Sequence, residues 1–105
     1  MKARLAPRAY REVMAAVAWI AGENPSAARG LQTALNDAAT LIGRHPHSGH
    51  ERPELADPPF RFMALRGYPY LLAYNADLNP PLITRFVHMA RDLPSVFESP
   101  SGIPE

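Results

Sequence analysis

The chain of 105 residues contains no cysteine and a single lysine, Lys2. Without cysteine, neither a disulfide framework nor a thiolate metal site can form. The longest apolar run, Val13 to Ala21, has nine residues and is too short to span a bilayer. The N-terminus, Met1-Lys2-Ala3-Arg4-Leu5, lacks the apolar core of a signal peptide. These absences predict a cytoplasmic protein that makes no membrane contact, and no cofactor is expected.

The charge composition is nearly balanced and dominated by arginine. The formal net charge is +1, so the chain as a whole is not an electrostatic nucleic-acid binder. Apart from Lys2, every residue in its set of 11 basic side chains is arginine. Arginine pairs in a bidentate manner with carboxylate or phosphate, so protein and nucleic-acid partners both remain possible.

Two amphipathic helices are predicted in the first half of the chain. Pro7 suits the first turn of a helix, and Gly22 ends it. Asn24-Pro25 starts the second helix, which Gly43 and His45-Pro46 stop. Because the connection is short, residues 7–44 should form an antiparallel helical hairpin. The apolar positions of the first helix follow the i, i+3, i+4 spacing of one face and are Tyr10, Val13, Met14, Val17, Ile20 and Ala21.

The second half reads as strands. A short first strand is predicted at residues 2–6, and a loop at residues 45–59. Three strands follow, at residues 60–66, 69–75 and 82–89, and residues 91–97 make a closing helical turn.

The predicted class is therefore α+β, with the order β-α-α-β-β-β. The helical hairpin packs on one face of a small, mainly antiparallel sheet. The other sheet face is expected to be partly open, and such a face is a place where a partner binds. Residues 1–97 form one domain, and residues 98–105 are predicted to be a disordered tail.

Short motifs occur in a consistent order along residues 3–97. They are Ala6-Pro7-Arg8-Ala9, Ile20-Ala21-Gly22-Glu23-Asn24-Pro25, Ala28-Arg29, His45-Pro46, Gly49, Arg52-Pro53-Glu54-Leu55, Phe60-Arg61, Tyr74-Asn75, Arg85-Phe86-Val87-His88 and Ala90-Arg91-Asp92-Leu93. In this order and spacing the chain resembles the ParE branch of the RelE/ParE toxins.

The resemblance implies the toxin of a type II toxin–antitoxin pair. A small antitoxin with a flexible C-terminal segment would neutralise it in a hetero-oligomer, and DNA gyrase would be its target. A RelE-like toxin would instead cut mRNA on the ribosome. A third alternative is a binding module that pairs with its antitoxin but has lost toxicity. Because the two toxic activities share a fold, the fold cannot decide between them.

The ribonuclease alternative would need proton transfer and stabilisation of the phosphorane charge. Its catalytic candidates are Arg61, Arg85, His88 and Arg91. A lysine-rich surface expected of a ribosome-binding nuclease is absent, since Lys2 is alone. We therefore predict a toxin that acts by binding, without catalytic residues.

The predicted partner-binding residues are Trp19, Arg61, Tyr74 and Arg85. Three of them have a structural alternative: Trp19 as a half-buried core residue, and the two arginines as fold-supporting ion pairs, for instance with Asp92. For His88, a hydrogen bond to a backbone group is favoured over acid–base chemistry, and for Asp92 a helix cap.

A metal site is the remaining alternative. It would use His45, His47 and His50 with the neighbouring carboxylates Glu51 and Glu54. These residues lie in a loop without a fixed element, so no metal site is predicted.

Overall fold

The computed structural model describes residues 1–98. It confirms the α+β class and the predicted order of the elements. Glu98, assigned from the sequence to a tail, ends the last helix, and the rest of that predicted tail, residues 99–105, lies outside the described residues. The elements are β1 (Arg4–Leu5), α1 (Pro7–Ala21), α2 (Pro25–Arg44), β2 (Phe60–Ala64), β3 (Tyr70–Asn75), β4 (Leu82–His88) and α3 (Leu93–Glu98).

The helix boundaries follow local signals. Pro7 occupies the first position of α1, where its missing N–H costs no hydrogen bond. The N–H of Gly22 donates to the Ala18 carbonyl at 3.2 Å and ends α1. The Asn24 side chain then accepts from the Ala27 N–H at 3.1 Å, which caps α2. Within residues 1–98, no helix is both long and apolar enough to cross a membrane.

The sheet has four strands in the order β1-β4-β3-β2. The β2–β3 and β3–β4 pairs are antiparallel, as predicted for the meander. β1 is parallel to β4, with Arg4 opposite Leu82 and Leu5 opposite Ile83. β1 therefore covers only the first residues of β4, and the rest of that edge needs another neighbour.

That neighbour is α1. The N–H of Ala6 donates to the Ile83 carbonyl at 2.8 Å, and the Glu12 carboxylate accepts from the Phe86 N–H at 2.9 Å. The two contacts show that α1 runs beside β4 in the same direction. A side-chain carboxylate thus satisfies a backbone donor that a longer β1 would otherwise have paired.

Both sheet faces are covered. The helical hairpin packs on one face, around Leu31, Leu35, Ile42, Leu72, Ile83 and Phe86. A second cluster occupies the other face and consists of Leu55, Phe62, Leu71, Ala73, Val87 and Phe97. The second face is less open than predicted, because the loop at Leu55 and helix α3 fold over it.

The buried face of α1 is centred differently from the prediction. Ala9, Val13 and Ala16 are buried, whereas Tyr10 and Met14, placed on the core face from the sequence, are 56% and 40% exposed. The small alanine side chains let α1 approach the sheet closely. The larger Tyr10 and Met14 side chains therefore lie at the flank of the contact.

Candidate partner-binding site

A groove opens between α2 and the outer edge of β2, with a volume of about 680 Å³. We call it the α2–β2 groove. Most of its lining is apolar and comes from Ala34, Ala38, Leu41, Met63, Ala64 and Tyr68. Asp37 and Arg66 add one charge of each sign. The sequence predicted a partner-binding surface on the open sheet face, whereas this groove lies at the edge of the sheet.

The groove contains an open strand edge. His50 and Phe62 exchange two backbone hydrogen bonds of 2.8 Å on the outer side of β2. Backbone groups of alternate residues in a strand point to the same side, so the N–H and C=O of Ala64 also point away from β3. Within residues 1–98, no strand lies beyond β2 at Ala64. A chain segment that enters the groove could form backbone hydrogen bonds with the N–H and C=O of Ala64.

Tyr74 binds the loop that follows α2 and that covers the other end of the β2 edge. Its hydroxyl donates to the Pro46 carbonyl at 2.7 Å and accepts from the Gly49 N–H at 2.9 Å. Burial raises the pKa of Tyr74 above its ordinary value, and the hydrogen bond from Gly49 opposes this in part. Arg61, opposite Tyr74 in the sheet, donates to the Gly49 carbonyl at 2.9 Å. Two of the predicted partner-binding residues thus meet, and both hold the loop.

Arg85 is paired with Glu12 of α1. Its Nη2 lies 2.8 Å from the Glu12 Oε2, and its Nε donates to the same carboxylate at 3.1 Å. The guanidinium lies 5.6 Å from the centre of the Phe97 ring, and only 1% of Arg85 is exposed. The suggested partner, Asp92, instead accepts from the Ser95 hydroxyl at 2.7 Å, at the start of α3. The fold-supporting ion pair is present, with Glu12 in the place of Asp92.

His88 makes the backbone hydrogen bond favoured from the sequence. Its Nδ1 accepts from the Ala90 N–H at 3.0 Å, and its ring lies edge-on to Tyr70 at 5.1 Å. Arg91 is exposed at the turn that follows.

The four ribonuclease candidates do not form one cluster, although Arg91 lies beside His88 and its N–H donates to the His88 carbonyl at 3.1 Å. Arg61 and His88 lie on the helical face, opposite Tyr74 and Tyr70 of β3. Those two positions are four residues apart, or about 13 Å along a strand. Arg85 lies on the other face, opposite Ala73.

The three loop histidines lie in different local settings. His45 caps the C-terminus of α2, and His50 pairs with Phe62. His45, His47 and His50 are all exposed. In the part of the chain that the structure describes, no three histidine, aspartate or glutamate side chains form a group suited to a metal ion.

Trp19 is 81% exposed, so its interpretation as a half-buried core residue is wrong. The sequence held a signal for this, because Trp19 falls outside the i, i+3, i+4 series that contains Val13 and Ile20. Glu12 and the groove residue Ala64 had no comparable signal. Their roles depend on which strand lies beside them, and the linear sequence does not state that.

The sequence and the fold are both similar to those of known proteins. Residues 3–93 match a family model described as the ParE toxin of the type II toxin–antitoxin system parDE. A solved structure of the chromosomal ParDE TA system from P. aeruginosa superposes with a TM-score of 0.69 at 16% sequence identity, over 84% of this chain and 95% of that chain. At that identity the likeness shows the shared fold. Among curated proteins no match was found. From the family match over residues 3–93, the chain belongs to the ParE toxin family of type II toxin–antitoxin systems.

Proposed function

We propose that this protein is a cytoplasmic toxin that inhibits DNA gyrase by binding, and that a cognate antitoxin neutralises it. The observation that carries the proposal is the family match over residues 3–93. The antitoxin would occupy the α2–β2 groove in a toxin–antitoxin hetero-oligomer.

The use of the polar side chains supports action by binding. Arg85 is committed to Glu12, Arg61 to the loop carbonyl of Gly49, and His88 to the Ala90 N–H. A ribonuclease would need such groups arranged around one phosphate. In residues 1–98 they support three different parts of the fold instead.

The groove suits a segment that becomes ordered on binding. An extended segment would pair with the backbone of Ala64, which adds a strand to β2. Alternate side chains would then point between α2 and the sheet, where Ala34 and Ala38 leave room. A flexible antitoxin segment can cover such a surface because it folds only when bound.

Ala38→Glu tests the antitoxin part of the proposal. The new carboxylate would lie in an apolar groove, and the affinity for the cognate antitoxin, measured by calorimetry, should fall by at least about a hundredfold. Gln32→Glu is the matched control, because Gln32 is an exposed residue of the same helix. Equal affinities of the two variants would show that the antitoxin binds elsewhere.

The target is tested by inducing the toxin alone and following DNA and protein synthesis with separate labelled precursors. DNA synthesis should stop first, and purified toxin should inhibit supercoiling by gyrase. If protein synthesis stops first, the RelE-like ribonuclease alternative is correct. If neither changes, the chain is an antitoxin-binding module without toxicity.

A further inference from the structure

The outward side of α1 carries large apolar side chains in contact with solvent. Trp19, Tyr10 and Met14 are 81%, 56% and 40% exposed. Small residues, Ala15 and Ala18, lie between them and are also exposed. Tyr10 and Trp19 are nine residues apart, or about two and a half helical turns, so they project from opposite flanks of α1. We call Trp19, Ala15 and Ala18, together with Arg8 and Arg11, the α1 outer face. A tryptophan this exposed on a helix is uncommon, and tryptophan is enriched among the anchor residues of protein interfaces.

The charge of the α1 outer face is of one sign. The carboxylate of α1, Glu12, is committed to Arg85. Within residues 1–98, Arg8 and Arg11 have no carboxylate at ion-pair distance. A partner that covers this face would therefore supply carboxylates at the arginine end and an apolar surface at the Trp19 end.

The shape of the α1 outer face differs from that of the α2–β2 groove. A helix surface is convex, and its backbone hydrogen bonds are made within the helix. It cannot pair with an incoming strand, as Ala64 can. A convex apolar helix instead fits a cleft that already exists in a folded protein.

Nucleic acid is a poorer match for this face. Trp19 is the one aromatic side chain of this face, whereas proteins that bind single strands stack successive bases on several aromatic side chains. Two arginines in a chain of net charge +1 also provide few phosphate contacts.

The two surfaces lie at opposite edges of the sheet. α1 lies beside β4 next to β1, whereas the α2–β2 groove lies beyond β2 at the other end of the strand order. One protein can therefore be contacted at the groove while another contacts α1.

We propose that the α1 outer face is the surface that binds the toxin's target. The partner is a folded protein with an apolar cleft that receives Trp19 and with carboxylates that pair with Arg8 and Arg11. This inference rests on the proposed function, since it assigns the target-binding surface of the toxin.

The test uses Trp19→Ala and Arg11→Glu in the full chain, with Leu78→Ala as a matched control because Leu78 is a 44% exposed apolar residue away from α1. Inhibition of gyrase supercoiling, growth arrest on induction and antitoxin affinity are measured for each variant. For both α1 variants we expect inhibition to weaken by at least about thirtyfold and growth arrest to be lost. Antitoxin affinity should stay within about threefold of the wild type.

Other outcomes separate the two proposals. If both α1 variants remain as toxic as the wild type, the target-binding role is wrong while the proposed function stands. A loss of antitoxin affinity in Trp19→Ala would assign the face to the antitoxin instead. If wild-type toxin binds labelled single-stranded DNA and Trp19→Ala does not, the face binds nucleic acid. A wild-type chain that arrests nothing would overturn both proposals.

Discussion

Replacing Glu12 with glutamine should destabilise the fold strongly, although the change removes only a charge. The amide keeps an oxygen that can accept from the Phe86 N–H, which Glu12 binds at 2.9 Å. It takes away the carboxylate that faces the Arg85 guanidinium at 2.8 Å. The variant therefore isolates the electrostatic part of the contact.

The size of the effect follows from burial. Removing one partner of a buried ion pair costs about 3–5 kcal/mol, because the other charge is left in a poorly solvated place. The Arg85 side chain is 2% exposed and the Glu12 side chain 19%, so some water reaches the pair. We therefore expect the lower end of that range, about 3 kcal/mol. With a urea m-value of about 1–3 kcal/mol per M, the unfolding midpoint should fall by about 1–3 M.

Far-UV circular dichroism in a urea titration is the suitable assay. Tryptophan fluorescence is not, because Trp19 is 81% exposed in the folded state and would report little change. Glu23→Gln is the control, since Glu23 is exposed at the hairpin turn and its loss should cost less than about 0.5 kcal/mol. A loss for Glu12→Gln below about 1 kcal/mol, the value of an exposed salt bridge, would refute the reasoning.

Four further substitutions test the loop held by Tyr74 and the helical hairpin. Tyr74→Phe should lower the free energy of unfolding by about 1–3 kcal/mol, because it leaves buried hydrogen-bonding groups without a partner. The pKa of Tyr74 is raised above its ordinary value of 10.0, so the protonated hydroxyl stabilises the fold fully at pH values below 10.0. This stabilisation is lost as the pH rises above that value and the hydroxyl ionises. Urea midpoints measured from pH 8 to 11 should show this alkaline loss in the wild type and less of it in Tyr74→Phe, and parallel profiles would contradict the assignment. Gly49→Ala should cost about 1–3 kcal/mol in the same urea assay, since its Cβ would lie 2.8 Å from the Phe62 carbonyl oxygen. At Gly22 the nearest atom would lie at 3.4 Å, so Gly22→Ala should be neutral or stabilising, and equal losses at the two glycines would be contrary to this reasoning. Asn24→Ala should cost about 1 kcal/mol by removing the cap of α2, and an unchanged thermal midpoint would show that the cap is dispensable.

Features with a local cause could be predicted from the sequence. Pro7, Gly22 and Asn24 set helix ends through backbone geometry and capping, which involve neighbours a few residues away. The three strands of the meander were likewise visible as apolar and aromatic runs of strand length. These local signals were enough to give the element order and the fold class.

The predictions that were wrong concern features that depend on contacts between distant parts of the chain. Arg85 finds its carboxylate 73 residues away, at Glu12, and the sequence contains nothing that favours this pair over Asp92. Periodicity placed Tyr10 and Met14 on the core face because it treats all apolar residues alike. In the structure, the strands that α1 packs against decide which part of that face is buried.

The packing of β1 and α1 against β4 also limits when this protein can fold. β1 and α1 are made first, but the strand they pack against, β4, is made last of the four. At a synthesis rate of about 5–20 residues per second, Arg85 is made about 4–15 s after Glu12. Contacts between such distant residues also slow folding, to milliseconds or seconds in domains rich in them. A chain that ends before β4 lacks both the strand that joins β1 to β3 and the arginine that pairs with Glu12, so the four-stranded sheet can form only after β4 has been made.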